Sequence, residues 1–442
     1  MTTPIYARPA ELLQTLIRFD TTNPPGNEAA CIGHINDLLT NAGFETALLA
    51  KDANRPNLVT RLAGRGEAPA LVLQGHVDVV TTANQTWTHP PFEAQLIDGW
   101  VWGRGALDMK GSVAMMVSAV LRAKAEGTVP AGDIILTIMA DEEAGSDYGA
   151  RFLTEEHPEQ FEGARYAIGE GGGSSQELFG HRFYTITVTE KQVCWMKCTL
   201  HGPGGHGARI LRDGAMAKLG HLLTALNENR LPVHITPVME QMVSTLAEYA
   251  PDEQAVLLQD LLDPARTDSA LDALDAQGVR QATMLDALLH NTVNATVVRG
   301  GDKTNVIPSR IDLELDGRAL PGYTPEDIMA ELRTLAGDEE LELEVIRYDE
   351  GGAEPDLSLV PLLRKLLLEA DPQGILLPSM MGGFTDGRMF TRMGIQNYGF
   401  IPQKLPADFN HGPTVHGADE RVPVETLEFG ADVLYKLIQQ YR

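Results

Sequence analysis

Cysteine is nearly missing from this chain of 442 residues. Three of them, Cys31, Cys194 and Cys198, are too few and too unevenly spaced for a disulfide framework or a thiolate zinc site. A reducing, cytoplasmic setting is the expectation. Cys194 and Cys198 fall in an apolar, strand-like run and read as small buried hydrophobes. Basic charge is also scarce: 35 Lys and Arg face 61 Asp and Glu, a formal charge of -26 that repels phosphate backbones and anionic bilayers. Neither nucleic acid nor membrane is expected as a partner. No apolar run approaches the roughly 20 residues that a bilayer-spanning helix needs. The opening segment MTTPIYARPAELLQTLIRFD has no basic stretch followed by an apolar core, so export is not expected either.

What the chain does have is an ordinary globular balance. Hydrophobic residues at 43% and charged residues at 22% sit near globular averages, enough to build a core without disulfides. The length exceeds what one core organises and favours two domains. The first part alternates strand-like and helical runs: ALVLQGHVDVV, KGSVAMMVSAVLRAKAEG, DIILTIMADEE, a helix from Ser146, then RYAIGEGGG. That order is the pattern of an α/β domain with a mostly parallel sheet and helices on both faces. From about Val193 the texture changes to the strand VCWMKCTLHG, the Gly-rich GPGGHGAR and the helix AMAKLGHLLTALNEN. A Leu-, Ala- and Asp-rich stretch over 237–290 has helical spacing and reads as a helical insertion. Strands at NATVVRG, RIDLELDGRAL and LELEVIRYD and a helix from Pro325 follow, before LSLVPLLRKLLLEA resumes the first style. The expected division is a domain of residues 1–191 and 353–442, with an α+β domain of residues 192–352 inserted into it.

In α/β sheets, ligands gather beyond the carboxyl ends of the strands. His76, in Gly75-His76-Val77-Asp78, stands at such an end and can offer a neutral ring nitrogen to a metal while Asp78 fixes the other nitrogen. A structural His–Asp pair is equally consistent with that segment alone. Asp108 lies in the turn GALDMKG before a helix, where an Asp is often a cap but can also bridge two cations. Asp141, Glu142 and Glu143 crowd the end of DIILTIM, and acids packed at a buried strand end repel one another unless a cation is present. Adjacent acids can also divide the labour, one on a metal and the other moving protons. Glu170 and His416 add another carboxylate and a second imidazole. Together, two His and three carboxylates form a shell suited to a pair of zinc ions.

The ordered segments GHVDVV, GRGALDMKG, DEEAG, GEGGG, GGHGAR, TNVIPSR, GGFTDGR and HGADERV resemble those of the dizinc metallopeptidase family of acetylornithine deacetylase, succinyl-diaminopimelate desuccinylase, carboxypeptidase G and aminoacylase. The resemblance runs along nearly the whole chain. It implies one metal held by His76 and Glu170, a second held by Glu143 and His416, and Asp108 bridging them. It also implies Glu142 as general base, Asp78 as the partner of His76, and a cis bond between Asp108 and Met109. The inserted domain would pair two chains into a homodimer, and His206, chosen over its neighbour His201, would complete the partner's site and help hold the oxyanion. Asn305 and Arg318 match substrate-contacting positions, with Arg318 suited to clamp a carboxylate or, on the plainer reading, to form a structural ion pair. Gly382 and Gly383 would let substrate approach the backbone, with Asp386 and Arg388 supporting the loop.

The expected chemistry is hydrolysis of a peptide or N-acyl amide bond beside a free carboxylate, by a hydroxide bridging two zinc ions, with cobalt or manganese as substitutes. A small peptide or N-acyl amino acid would be the substrate. Two features depart from the family's usual pattern: Phe384 lengthens a GGTD-like run, and glycines follow Glu170 in place of a Pro-Ser or Pro-Thr pair. The long stretch between His206 and Asn305 makes a compact desuccinylase less attractive than an aminoacylase-like or carboxypeptidase-like enzyme. A biosynthetic deacylase such as an acetylornithine deacetylase is the nearest alternative. A non-catalytic scaffold on the same fold would be expected to have lost a ligand or the base, and none is lost.

Overall fold

The computed structural model describes residues 3–279, 281–352 and 354–442. The chain divides into two compact units, one of Met1–Val188, Pro355–Pro378 and Thr385–Arg442, the other of Thr189–Glu354 and Ser379–Phe384.

The first unit is organised by a sheet whose central strands are mostly apolar. All of Ala70–His76 and Ile134–Met139 is buried, the pattern of strands covered on both faces. These two strands pair in parallel, and Ala164–Gly169 and then Gln396–Gly399 extend the parallel set. Asn57–Leu62 and Thr46–Leu49 flank it antiparallel on one side, and His181–Glu190 on the other. One face packs the helix Lys110–Ala125, itself held between Pro9–Ile17 and Val424–Gln440. Gly75 makes that approach close: a Cβ there would meet Met109 Cε at 2.9 Å and Val113 Cγ2 at 3.2 Å. The opposite face, through Val72, Ile135, Met139 and Ala167, packs Phe152, Leu153, Met389 and Phe390 from the short helices Ala150–Glu156 and Gly387–Arg392.

The helix expected from Ser146 begins at Ala150. Asp141 and Ser146 both have positive φ, 69° and 70°, with a single turn of 3-10 helix over Glu142–Ala144 between them. The backbone therefore doubles back before the helix can start. Gly149 marks the start, since a Cβ there would lie 1.8 Å from the Ala140 carbonyl oxygen.

The second unit contains a four-stranded antiparallel sheet in the order Thr292–Arg299, Arg310–Ala319, Gln192–His201, Glu342–Asp349. Arg310–Ala319 alternates open and buried positions, as strands of one-sided sheets do. Ile311, Leu313 and Leu315 meet Cys194, Met196 and Cys198 beneath Ala215, Leu222, Ile328 and Leu332 of the helices Ala215–Glu228 and Pro325–Ala336. The latter helix starts at a reciprocal Thr324–Asp327 cap, which satisfies two otherwise orphaned donors. Among the described residues of 237–290 there are four helices, Pro237–Tyr249, Asp252–Asp260, Thr267–Ala276 and Ala282–Leu289. Among the described residues, no helix is long and apolar enough to cross a membrane.

Candidate metal centre

Five residues from separated segments of the first unit converge. His76 ends its strand, Glu143 and Glu170 follow the ends of the neighbouring parallel strands, Asp108 sits in the turn before Lys110–Ala125, and His416 lies in a loop before Arg421–Pro423. They form two groups, His76–Asp108–Glu170 and Asp108–Glu143–His416, each with ligand atoms within 4.8 Å of one another. His76 Nε2 lies 3.4 Å from Asp108 Oδ1 and 3.4 Å from Glu170 Oε2. His416 Nε2 lies 3.1 Å from Asp108 Oδ2 and 3.1 Å from Glu143 Oε2. Asp108 thus offers one oxygen to each group. The bond between Asp108 and Met109 is cis.

Behind these groups lies a buried polar frame. His76 Nδ1 is 3.0 Å from the main-chain carbonyl oxygen of Asp78 and 3.4 Å from its carboxylate. The Asp78 carboxylate has further partners: Oδ1 accepts the Glu142 N–H at 3.1 Å, and Oδ2 accepts the Glu143 N–H at 3.2 Å and Asn23 Nδ2 at 2.9 Å. Asn23 also donates to Asp141, which pairs with Arg55 at 2.9 Å, and Arg55 in turn is held by Glu28. Asn23, Arg55 and Glu28 escaped the sequence reading because nothing local marks them. Their contacts span 27 to 118 residues of chain.

The electrostatics of the cluster answer whether cations fit. Burial raises the Glu170 carboxyl to about 8 despite the nearby His76. Burial, with Glu170 beside it, also drives Glu142 well above the usual carboxylate range. Burial raises Glu143 as well, against the pull of His416. Burial would lower His76, yet Glu170, Asp108 and Asp78 hold it well above its ordinary value. His416 is raised to about 10 by its hydrogen bonds to Asp108 and Glu143. So many acids, buried together, must borrow protons from two imidazoles or take up positive charge from outside. His76 Nε2 and Glu143 Oε1 are buried without a hydrogen-bond partner. Imidazole nitrogen and carboxylate oxygen are the donors that divalent zinc, cobalt and manganese accept. The residues present therefore fit a pair of such ions.

Glu142, only 8% exposed, stands beside these groups on the same turn as Glu143. Asp386, fully buried at the start of Gly387–Arg392, is raised to about 6 by burial although His76 opposes the shift. Arg388, of the helix Gly387–Arg392, also belongs to the first unit, whereas His206, Asn305, Arg318, Gly382 and Gly383 belong to the second. His206 and Asn305 are exposed and neighbour one another, with the Gly207 N–H donating to the Asn305 carbonyl at 2.9 Å. Arg318 makes a two-pronged pair with Asp316, Nε to Oδ1 at 2.7 Å and Nη2 to Oδ2 at 3.0 Å, and its guanidinium lies 5.3 Å from the Phe384 ring centre. This is the ion pair that the plainer reading of Arg318 allowed. A Cβ added at Gly382 would meet Leu288 Cδ2 at 3.6 Å, whereas one added at Gly383 would have nothing within 4 Å.

Fold and site together define an α/β chain with a candidate centre for two divalent cations. Peptidase family M20/M25/M40 matches residues 72–440. The chain belongs to that family and is a hydrolytic enzyme. Over 444 residues it is 27% identical to succinyl-diaminopimelate desuccinylase of Paracoccus denitrificans (strain Pd 1222), covering 98% of each chain. It is 25% identical over 451 residues to aminoacylase-1 of Sus scrofa, covering 97% of this chain and 93% of that one. Among solved structures, the fold is similar to the M20 family metallo-carboxypeptidase Sso-CP2 of Sulfolobus solfataricus, with a TM-score of 0.66, 15% identity and coverage of 98% and 99% of the two chains.

Proposed function

We propose that this chain is a cytoplasmic, homodimeric two-zinc hydrolase that cleaves the amide bond of a small peptide or N-acyl amino acid next to a free carboxylate. The observation that carries the proposal is the pair of three-residue groups sharing Asp108 in a member of a peptidase family. When bound, two divalent ions at these groups supply Lewis acidity toward the amide carbonyl and toward an attacking water.

The chain's own residues do the rest. His76 and Glu170 would hold one ion, Glu143 and His416 the other, with Asp108 contributing to both. Glu142 takes the proton of the attacking water on its carboxylate and passes it to the leaving nitrogen. Its buried position raises its proton affinity, which suits a group that must bind and release a proton within one turnover. Asp78 fixes Glu142 through its main-chain N–H, so that the proton carrier does not swing away. From the second unit, His206 of the partner subunit would donate to the oxyanion. Asn305 and Arg318 would bind substrate, with Gly382 and Gly383 leaving room for it. Arg318 keeps Nη1 outside its pair with Asp316, a donor suited to one carboxylate oxygen.

The test is a panel of N-acetyl, N-succinyl and longer N-acyl amino acids and dipeptides, each with a carboxamide counterpart lacking the free carboxylate. Zinc-loaded chain should hydrolyse at least one acid, lose that activity on chelation, and act far more slowly on the carboxamide. Equal rates on acid and carboxamide would remove the carboxylate requirement.

A further inference from the structure

Four residues beyond His416 the chain carries Glu420, fully buried and given no task by the scheme above. Its carboxylate is saturated with donors. Oε1 accepts the main-chain N–H of Leu107 at 2.7 Å and of Asp108 at 3.0 Å. Oε2 accepts the N–H of Gly105 at 2.9 Å and Arg104 Nη1 at 2.6 Å. Arg104, 1% exposed, sends Nη2 to the Gly417 carbonyl at 3.0 Å and to Gln85 Oε1 at 3.0 Å. Gln85 Nε2 donates to the His416 carbonyl at 2.8 Å. Glu420, Arg104 and Gln85 therefore tie the turn that carries Asp108 to the loop that carries His416.

We propose that Glu420, through Arg104 and Gln85, is a positioning residue that fixes Asp108 relative to His416 and so sets the affinity of the cation held by Asp108, Glu143 and His416. This rests on reading the cluster as a two-metal site. The two groups depend on the clamp unequally. His76 and Glu170 follow directly from paired central strands, and only their shared partner Asp108 hangs from Glu420. In the other group Asp108 and His416 both belong to clamped segments, and Glu143 alone is fixed independently, by Asp78. The His416 side chain is 54% exposed and its backbone has a φ of 60°, so packing does little to hold it and hydrogen bonds must. Asp419 adds a second anchor on Thr88, at 2.7 Å to both N–H and hydroxyl, but that anchor does not reach the Asp108 turn. A carboxylate is needed at 420 because four donors converge on two oxygens. An amide would turn its own NH2 against some of them.

The experiment titrates the metal-stripped full chain with zinc(II) in chelator-buffered solutions and reads the two binding steps. Glu143→Gln assigns one step to the group of Asp108, Glu143 and His416. In Glu420→Gln that step should weaken by about 10- to 100-fold, the range for groups that orient ligands, while the other step moves by a smaller factor. Two unchanged steps, or two steps weakened equally, would overturn the inference. Should the substitution prevent folding, Gln85→Ala keeps the buried Glu420–Arg104 pair and the Arg104 bond to Gly417, and removes the hydrogen bond to the His416 carbonyl itself. It should weaken the same step selectively, and unchanged binding there would overturn the inference as well. A wild-type chain that binds no zinc would remove the two-metal reading and this inference together. Two wild-type steps without the selective shift would remove the inference alone.

Discussion

Replacing Asp78 with Asn changes one atom of a fully buried side chain and leaves its shape intact, so the consequences can be followed donor by donor. The carboxylate accepts three N–H groups: Glu142 N–H on Oδ1, and Glu143 N–H and Asn23 Nδ2 on Oδ2. An asparagine must turn its NH2 toward one side. Turned to the Oδ2 side it opposes two bonded donors; turned to the Oδ1 side it opposes the Glu142 N–H and faces His76 Nδ1 at 3.4 Å, which already has the closer Asp78 main-chain carbonyl, so the variant should adopt the second arrangement and lose the bond to Glu142. A bond to a charged acceptor contributes about 1.5 to 3 kcal/mol, and a loss in that range should lower the thermal midpoint of the metal-loaded protein. Turnover should fall about 10- to 100-fold as Glu142 loses its anchor. His76 should suffer less, because its Nδ1 keeps the Asp78 main-chain carbonyl at 3.0 Å. Turnover, thermal midpoint and zinc content measured on one preparation make the assay. Selective loss of the ion assigned to His76 and Glu170, with turnover per fully loaded site unchanged, would show that the carboxylate serves His76 and would refute the reasoning.

Three further outcomes are expected. Glu142→Gln should cut turnover by about 10²- to 10⁴-fold, the usual worth of a proton-transferring group, with zinc content retained; near-normal turnover would place the base elsewhere. His206→Ala chains mixed with Glu142→Gln chains should partly regain activity, because a heterodimer with shared sites has one site lacking both groups and one with both intact; no recovery after proven subunit exchange would confine His206 to its own chain. His290 faces Asp286 at 3.1 Å and Asp268 at 3.3 Å, and although burial lowers it, Asp286 raises its pKa overall. A raised folded-state pKa adds stability below the unfolded value of about 6.5 that is lost as pH climbs through the folded one. The stability gap between wild type and His290→Gln should therefore narrow as pH rises, and a gap that widens would reverse the assignment.

The candidate groups were legible in part because His76, Glu143 and Glu170 sit in short local signatures at strand ends, and strand ends on one sheet edge meet in space; Asp108 in a turn before a helix and His416 in a loop were marked by the family resemblance instead. The plan of alternating strands and helices was legible from apolar runs such as ALVLQGH and IILTIM, which bury every residue. Other features were hidden. The late start of the helix at Ala150 depends on two left-handed residues, Asp141 and Ser146, that no apolar pattern announces. Asp316, two residues before Arg318 and so on the same face of a strand, could have been foreseen as its partner, but the Phe384 stack could not. The tasks of Asn23, Arg55 and Glu420 depend on contacts between distant segments, the Glu420 link to Asp108 spanning 312 residues. Taken alone these residues look like any polar side chain.

Everything proposed for the site rests on the shared carboxylate of Asp108 joining two metal sites in one catalytic unit. Zinc per chain tests this, read by elemental mass spectrometry at matched free zinc for the wild type, Glu143→Gln, Glu170→Gln and Asp108→Asn. Two ions are expected in the wild type, about one in each single-site variant, and weakened binding of both in Asp108→Asn. A single ion in the wild type, or an Asp108→Asn chain that keeps two at wild-type affinity, would show that Asp108 does not join two sites.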